Sequence, residues 1–292
     1  RDSADAIPEH VREVILDYLA VGLDPFGRTS TIFCHSHVPE LNQLFLPLLT
    51  LVSVPELERN PTVKEEIQAA KLNSVSGMMF TYPVHQAADI LFCKSQLVPV
   101  GKDQLAHLEV ARKLARRFNE RFSPETPVFP VPTALLSKAP VVQGLDGAQK
   151  MSKSRGNAIL LKMSEDETRA ALMKATTDSE RQIRYAPETR PAVAGLLRLL
   201  GLVTDQRPES WATQIGDGGG GALKKHLVDA VNAFLAPIRQ RRRALEAEAG
   251  LVQKILAEGN ARAREVARET LDEVRRAMHM DYGLGDTPDP TH

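Results

Sequence analysis

The sequence predicts an α/β domain built on a parallel sheet, followed by an all-helical domain. Up to residue 122, helical stripes of apolar residues alternate with short apolar runs, an order typical of parallel α/β sheets. From Ser164 onwards, nearly every periodic segment has helical spacing. We therefore expect the α/β domain over residues 1–163, the helical domain over residues 164–282 and a disordered tail over residues 283–292.

The first elements follow from the spacing of apolar side chains. Residues 11–19 carry them at helical intervals, and Pro25 lies beyond the end of that helix. A short β-like run at residues 31–34 comes next. A second helix is expected over residues 41–51.

The next elements place polar side chains at the end of a strand. The stretch YPVHQAADILF (82–92) predicts a helix, and QLVPV (96–100) predicts a strand that leads by a glycine turn into a long helix over residues 103–122. Binding sites in parallel sheets lie beyond the carboxyl ends of the strands. Asp103 and Gln104 therefore bring an acceptor and an amide to such a crevice, although an aspartate there can also be only a helix N-cap.

Two features describe the second part of the chain. Ser164 and Glu167 have the spacing of a capping box, which predicts a helix start. The tract GDGGGG at residues 216–221 predicts a flexible loop among the helices.

Composition limits the possible functions. The chain has 292 residues, of which 42% are hydrophobic, with 37 basic and 37 acidic side chains, so a nucleic-acid surface could only be a local patch. Cys34 and Cys93 form neither a disulfide framework nor a paired zinc motif, which favours the reducing cytoplasm. No apolar run is long enough for a membrane span. His107 and Glu109 lie among basic residues and lack a third ligand, so we expect a solvated face and no metal site.

The stretch GLDGAQKMSKSRGNAI (144–159) concentrates cations and hydroxyls in a loop. Lys150 and Lys153 are flexible ammonium groups that suit a polyphosphate whose charge redistributes in a transition state. The same composition is ordinary for a solvated surface loop.

Four stretches carry a resemblance to a known family. Residues 150–154, KMSKS, match the signature of class I aminoacyl-tRNA synthetases. YPVHQAADIL, VPVGKDQLAHLEVARKLARRFN, and TDSERQIRY with RPAVAGLL resemble, in the same order, stretches of the tryptophanyl enzymes. The resemblance covers about residues 8–280. It implies a Rossmann-like catalytic domain and a helical anticodon-binding domain. The implied reaction is ATP-dependent formation of tryptophanyl-adenylate and transfer of the amino acid to tRNA(Trp).

The resemblance implies a role for each matched residue in the amino-acid pocket. Tyr82 and Gln104 would bind the ammonium group of L-tryptophan, and Asp89 would accept a hydrogen bond from the indole N–H. Val98 and Val100 would line the side-chain pocket. The expected tryptophan-binding residues are Tyr82, Gln86, Asp89, Val98, Val100 and Gln104.

The resemblance also implies how ATP is bound. Gly101 and Asp103 would lie against the ribose, while Lys150, Ser152 and Lys153 would engage the phosphates as catalytic residues. The expected ATP-binding residues are Lys64, Gly101, Asp103, Lys150, Met151, Ser152 and Lys153. Mg²⁺ would arrive with ATP. A homodimer with no membrane partner is implied.

The chain departs from the family pattern in three places. His85 and Gln86 stand where Leu-Met is usual, and Lys102 stands where an acidic residue is common. The His-x-Gly-His signature is absent, because CHSH at residues 34–37 has the wrong spacing and no glycine. We therefore expect the first strand to lie upstream of Arg1, or the chain to be a degenerate relative.

Two other functions stay open at this stage. A tyrosyl enzyme is favoured by Tyr82, Gln86 and Asp89, whose spacing also resembles a tyrosine-binding helix, whereas VPVGKDQ and TDSERQIRY argue against it. A non-catalytic RNA-binding or regulatory paralogue is the second alternative.

A basic run is expected to bind tRNA. Residues 224–243 carry six lysines and arginines against one acid, Asp229. The expected tRNA-binding residues are Lys224, Lys225, Arg239, Arg241 and Arg242.

Overall fold

The chain divides into two compact units in the computed structural model. The residues that the structure describes are 4–27, 29–64, 76–137, 139 and 141–282. One unit comprises Arg1–Ser30 with Val141–Gln253, and the other comprises Thr31–Pro140 with Lys254–His292. This division does not coincide with the predicted boundary after residue 163, since each unit takes segments from both sides of it. The predicted disordered tail lies outside the described residues.

Helices form most of both units. In chain order they are α1 (Ile7–Ala20), α2 (Glu40–Leu49), α3 (Val54–Glu58), α4 (Gly77–Leu91), α5 (Leu105–Phe122), α6 (Glu165–Met173), α7 (Pro191–Thr204), α8 (Pro208–Ile215), α9 (Gly219–Glu246) and α10 (Leu251–Ala277). Residues 61–64 are also helical. Short 3-10 helices cover Ala4–Ala6, His35–His37, Lys102–Gln104 and Lys153–Arg155. Among the described residues, every helix is too short or too polar to traverse a bilayer.

A small parallel sheet lies in the second unit. Strand β1 (Leu97–Pro99) pairs with β2 (Thr133–Leu135), with Val98 opposite Ala134, and α5 connects the two. Parallel neighbours require such a crossover. The predicted combination of an α/β sheet with a largely helical remainder is confirmed.

The β-like run at residues 31–34 was predicted wrongly, because it belongs to no strand of the described sheet. It lies instead against α10. The backbone N–H of Cys34 donates to Oδ1 of Asn260 at 2.8 Å. A Cβ added to Gly259 would come within 1.9 Å of the Ile32 carbonyl oxygen, so the close approach requires a glycine there.

The core of the second unit forms around α4 and α5. A helical stripe of α5 is buried: Leu108, Ala111, Leu114, Ala115 and Phe118. The face of α4 that packs in the same core carries Val84, Ala87, Ala88 and Leu91. Ser76 caps α4 by accepting a hydrogen bond from the Met79 N–H at 3.2 Å. The predicted helix over residues 82–92 is confirmed as the greater part of α4.

The first unit has its own core, in which α1, α6 and α7 pack on α9. The predicted capping box is confirmed, because Ser164 and Glu167 exchange side-chain-to-backbone hydrogen bonds at the start of α6. Contacts between α1 and α9 explain why the N-terminal helix belongs with the later helices rather than with the sheet.

The glycine tract at residues 216–221 is only partly a loop, because α9 begins at Gly219. A Cβ on Gly220 would lie 2.7 Å from Oγ1 of Thr177, and the Gly219 N–H donates to the Arg181 carbonyl at 2.9 Å. The prediction of a flexible loop was therefore wrong for this half of the tract, where glycines permit close packing of a helix start.

Candidate functional site

The lysine loop, residues 144–157, is folded back on itself in the first unit. Gln143 and Lys150 form an isolated antiparallel bridge, and the Met151 N–H donates to the Val142 carbonyl at 2.8 Å. The loop therefore has a fixed base. A 3-10 helix, Lys153–Arg155, forms its outer part.

Asn157 braces this loop from within. Its Oδ1 accepts the backbone N–H of Ser152 at 2.8 Å, while its Nδ2 donates to Oδ2 of Asp146 at 2.7 Å and to the Lys150 carbonyl at 3.3 Å. Asn157 is only 6% exposed. A Cβ at position 144 would lie 2.2 Å from this amide, which explains why Gly144 stands there. Asn157 was not predicted from the sequence, where its only signal is a polar residue in a glycine-framed stretch.

Asp146 is an exposed carboxylate of the loop that stays anionic. Hydrogen bonds from Asn157 and from the backbone N–H groups of Ala148 and Gln149 lower the pKa of this carboxyl. The Asp146 carboxylate therefore accepts hydrogen bonds from donors of the loop itself.

The exposed side of the loop carries the groups expected to bind phosphate. Lys153 is exposed, and Gly156, with φ of +67°, ends the 3-10 helix behind it. The hydroxyls of Ser152 and Ser154 lie 2.9 Å apart. Hydroxyls and flexible ammonium groups on a fixed base suit a polyphosphate ligand.

An ion pair between the buried Arg190 and the more exposed Asp178 anchors the segment that follows the loop. Nε of Arg190 donates to Oδ2 of Asp178 at 2.7 Å, and the Arg190 side chain is 7% exposed. The same guanidinium donates to the Gln182 carbonyl at 2.6 Å. The Arg190 hydrogen bond lowers the pKa of Asp178. The motifs TDSERQIRY and RPAVAGLL are thus joined to each other.

In the second unit, Tyr82, Gln86 and Asp89 lie on one face of α4, as their spacing of four and three residues requires. Nε2 of Gln86 donates to Oε1 of Gln104 at 3.2 Å, and Nε2 of Gln104 lies 3.3 Å from Oδ2 of Asp103. The structure therefore brings together most of the polar residues that the sequence predicted for the amino-acid pocket.

His107 lies behind Tyr82, contrary to the sequence prediction of a solvated face. It is 1% exposed, and its Nε2 lies 3.1 Å from the Tyr82 hydroxyl, while Nδ1 lies 3.4 Å from Nδ2 of Asn60. Glu109 points elsewhere and pairs with Arg112. The signal was present, because His107 falls on the apolar stripe of α5.

Asp89 has a histidine partner that was not predicted from the sequence. Oδ1 of Asp89 lies 3.1 Å from Nε2 of His35, in the CHSH stretch. Burial raises the pKa of Asp89, and the nearby imidazoles of His35 and His85 partly oppose that rise. The expected indole acceptor is therefore set beside two histidines.

The remaining predicted residues lie around β1. Val98 and Val100 are half-buried and pack on the core, and the Val100 N–H donates to the Leu135 carbonyl at 3.2 Å. Gly101 follows the strand. Lys64 is exposed at the end of its described segment.

The basic run does not form one solvent-facing patch, which corrects the sequence prediction. Nε of Arg239 donates to the Met163 carbonyl at 2.8 Å, and Arg242 pairs with Glu13 and Asp17 at 2.9 and 2.8 Å. Both arginines are buried because their faces of α9 pack inside the unit. Arg241 and Lys225 are both exposed, although Nε of Arg241 donates to the Ala20 carbonyl at 2.7 Å.

Comparisons with known proteins agree on one family. Residues 1–236 match the family tRNA synthetases class I (W and Y). Over 281 residues the chain is 40% identical to a tryptophan–tRNA ligase of Treponema pallidum, covering 94% of this chain and 81% of that protein. It is 41% identical over 290 residues to that of Clostridium longisporum, with coverage of 94% and 82%.

Solved structures are similar as well. A tryptophanyl-tRNA synthetase of Mycoplasma pneumoniae matches with a TM-score of 0.80 and 26% identity, over 98% of this chain and 85% of that one. The enzyme of Campylobacter jejuni, in complex with ADP and tryptophan, matches with a TM-score of 0.75 and 28% identity, over 96% and 85%. The chain belongs to the class I tRNA synthetases of the tryptophan and tyrosine family.

Proposed function

We propose that this protein is a tryptophan–tRNA ligase, which activates L-tryptophan with ATP and transfers it to tRNA(Trp). One observation carries the proposal: in a chain about 40% identical to tryptophan–tRNA ligases, the KMSKS loop is intact, braced by Asn157, and presents Lys153 to solvent. A decayed, non-catalytic relative would have no need to keep this bracing.

Activation is an in-line attack on phosphorus. The carboxylate of tryptophan attacks the α-phosphate of Mg-ATP, an oxygen–phosphorus bond forms, and the bond to the β-phosphate oxygen breaks to release pyrophosphate. No protein nucleophile is needed, so positioning and cations suffice. Lys150 and Lys153 stabilise the charge that develops on the phosphates, with the Ser152 hydroxyl as a further ligand, while Met151 fixes the base of the loop through its backbone N–H. Lys64 is an additional phosphate ligand in this proposal.

The second unit supplies the amino-acid pocket. Tyr82 and Gln104 bind the ammonium group, and Gln86 orients Gln104 through its 3.2 Å hydrogen bond. Asp89 accepts the indole N–H, while Val98 provides an apolar wall. An acceptor that the bound ligand shields from water discriminates against ligands that leave it unpaired.

The nucleoside part of ATP is proposed to lie beyond β1. Gly101 lets the ribose approach the backbone, and Asp103 accepts from a ribose hydroxyl. Val100, which precedes them, is fixed by its bond to Leu135.

Transfer of the activated amino acid uses tRNA as the second substrate. A hydroxyl of the terminal ribose of tRNA attacks the carbonyl carbon of the adenylate, and AMP leaves. Of the predicted tRNA-binding residues we retain the exposed Lys225; the ammonium of Lys224 beside it donates to the Met173 carbonyl at 3.3 Å. We further propose that the enzyme is a homodimer and acts in the cytoplasm, where Cys34 and Cys93 stay as the free thiols seen here.

The test is ATP–pyrophosphate exchange with each of the twenty amino acids, followed by charging of tRNA(Trp). Exchange that depends on tryptophan, with formation of tryptophanyl-tRNA, is the expected result. Tyrosine is the main competing substrate, because Asp89 could equally accept a hydrogen bond from a phenol O–H. Exchange that depends on tyrosine would overturn the assignment of tryptophan as the substrate. If none of the twenty amino acids supports exchange, the proposal that the protein is an enzyme would be overturned.

A further inference from the structure

Three potential metal ligands from two segments converge in the second unit. His35 comes from the 3-10 helix His35–His37, while His85 and Asp89 lie one turn apart on α4. One ligand atom of each lies within 4.8 Å of the others. The two imidazole rings are 4.4 Å apart between centroids. Nothing in the proposed tryptophan chemistry requires two histidines at this point.

Two atoms of the cluster are buried without a hydrogen bond. Nε2 of His35 and Oδ1 of Asp89 are 3.1 Å apart, yet neither has a hydrogen-bond partner of acceptable geometry among the described residues. Buried polar atoms in this condition are destabilising unless something else satisfies them. A cation between the nitrogen and the oxygen would satisfy both atoms at once.

We propose that His35, His85 and Asp89 bind a divalent transition-metal ion, for which zinc is the best match. Two imidazole nitrogens and one carboxylate oxygen are a known three-ligand set for Zn²⁺, which keeps a fourth position for water or substrate. Magnesium and calcium prefer oxygen ligands and are disfavoured by the two histidines.

The distances agree with this assignment. Ligand atoms about 2.1 Å from a tetrahedral zinc lie about 3.4 Å apart. The His35–Asp89 separation of 3.1 Å is already close to that value. Rotation of the His85 ring would bring its ligand nitrogen, which lies within 4.8 Å of the other two ligand atoms, to about 3.4 Å from them. The ring of Phe45 stands edge-on to His85 at 5.8 Å and limits the orientations that the imidazole can adopt.

The metal site and the proposed indole acceptor share Asp89 without excluding each other. Oδ1 is buried and is assigned to the metal, whereas the side chain as a whole is 39% exposed. The other carboxylate oxygen therefore remains for a ligand. Metal binding rests on the three side chains alone. Only its effect on tryptophan binding, through a fixed Asp89 carboxylate, rests on the proposed function.

The test measures metal binding, not activity. Untagged full-length protein is stripped with a chelator, equilibrated by dialysis with Zn²⁺, and analysed for bound zinc by mass spectrometry. We expect one zinc per chain, with affinity reduced more than about 100-fold in His85→Leu and in His35→Gln, since losing a ligand exceeds the loss of a supporting contact. His37→Ala, an exposed histidine in the same 3-10 helix, is the matched control and should bind as the wild type does.

Two further measurements keep the proposal falsifiable if a variant misfolds. X-ray absorption of zinc-loaded wild-type protein should show two imidazole ligands, and Mg²⁺ should not compete with zinc. Wild-type protein that binds no zinc would overturn the proposal, as would binding undiminished in a folded His85→Leu variant or equal competition by Mg²⁺. A chain that binds zinc but fails to activate tryptophan would refute the proposed function only.

Discussion

Asn157 holds the backbone of Ser152 by a 2.8 Å hydrogen bond from the serine N–H to its Oδ1. Because the same side chain also donates to Asp146, one buried amide sets both the base and the outer part of the lysine loop. We predict that Asn157→Ala costs about 1–3 kcal/mol of unfolding free energy and slows adenylation. Urea unfolding and single-turnover adenylation would measure the two effects.

Asn157→Asp separates the effects of the two hydrogen bonds that this side chain makes. It keeps an acceptor for the Ser152 N–H but replaces the donor to Asp146 with a second carboxyl group, and like charges at that distance repel. We expect it to perform no better than Asn157→Ala. Full activity in Asn157→Asp would show that the bond to Asp146 is dispensable.

Lys153→Ala should lower the adenylation rate far more than it weakens tryptophan binding. The exposed ammonium is proposed to strengthen its contact as charge develops on the phosphates, and loss of one such preorganised donor costs on the order of 10²–10³ in rate. Rapid-quench measurement of adenylate, beside equilibrium tryptophan binding, separates the two effects. Lys174→Ala, an exposed lysine after α6, is the control. An unchanged single-turnover rate in Lys153→Ala would remove the role given to this lysine.

Arg242→Ala and Lys225→Ala should have opposite consequences. Arg242 is buried and pairs with both Glu13 and Asp17, so its removal takes the cation from Asp17, whereas Glu13 keeps Lys162, and we expect a cost of about 1–3 kcal/mol in stability. Lys225 is exposed, so Lys225→Ala should keep stability but weaken tRNA binding and reduce its salt dependence. Thermal unfolding and tRNA binding at several salt concentrations test both. A stable Arg242→Ala protein, or an unaltered salt slope for Lys225→Ala, would contradict the respective assignment.

The difference between these two residues shows where sequence reasoning reaches its limit. Both stand in one basic run, and only the packing of α1 on α9 reveals that Arg242 faces inward. Periodicity predicted α1, α2, α4 and α5 because apolar stripes are local. It misjudged residues 31–34, since their packing partners on α10, Gly259 and Asn260, are far away in the sequence.

The residues of the candidate site also separate into those that the sequence could predict and those that it could not. Tyr82, Gln86 and Asp89 were predictable, because helical spacing places them on one face and the family motif covers them. The His35–Asp89 contact was not, because it joins segments about fifty residues apart and CHSH resembled a failed version of another signature. His107 was misread because its charged neighbours masked the apolar stripe on which it lies.

Stability at acid pH should depend on Glu56. Hydrogen bonds from Arg117 lower the pKa of Glu56 from its ordinary 4.5 to about 2. A carboxyl whose pKa is lower in the folded state stabilises above its unfolded pKa, so this contribution is complete above pH 4.5 and is lost as the pH falls towards 2. The pair is partly exposed, so we expect about 1 kcal/mol or less.

Urea unfolding of wild type and Glu56→Gln from pH 7 to pH 2.5 or so would measure this. The difference in unfolding free energy should be largest near neutrality and should shrink as the pH falls. Glu58→Gln, at the exposed end of the same helix, should show no such convergence. A difference that stays constant with pH would assign the effect of Glu56 to packing instead of charge.

Gln86→Met restores the thioether that is usual at this position and tests what the amide does. Nε2 of Gln86 donates to Oε1 of Gln104, the residue proposed to bind the ammonium group of tryptophan. Without that donor Gln104 loses its orientation, and loss of one such hydrogen bond costs about 1 kcal/mol, or roughly five- to tenfold. We therefore predict a KM for tryptophan raised five- to tenfold with little change in kcat, because the ammonium is bound equally in the ground and transition states.

Gln96→Met, exposed before β1, is the matched control and should leave both constants unchanged. A KM for Gln86→Met equal to that of the wild type would show that Gln104 is positioned without Gln86, whereas a lower kcat at constant KM would place Gln86 at the reacting carboxylate instead.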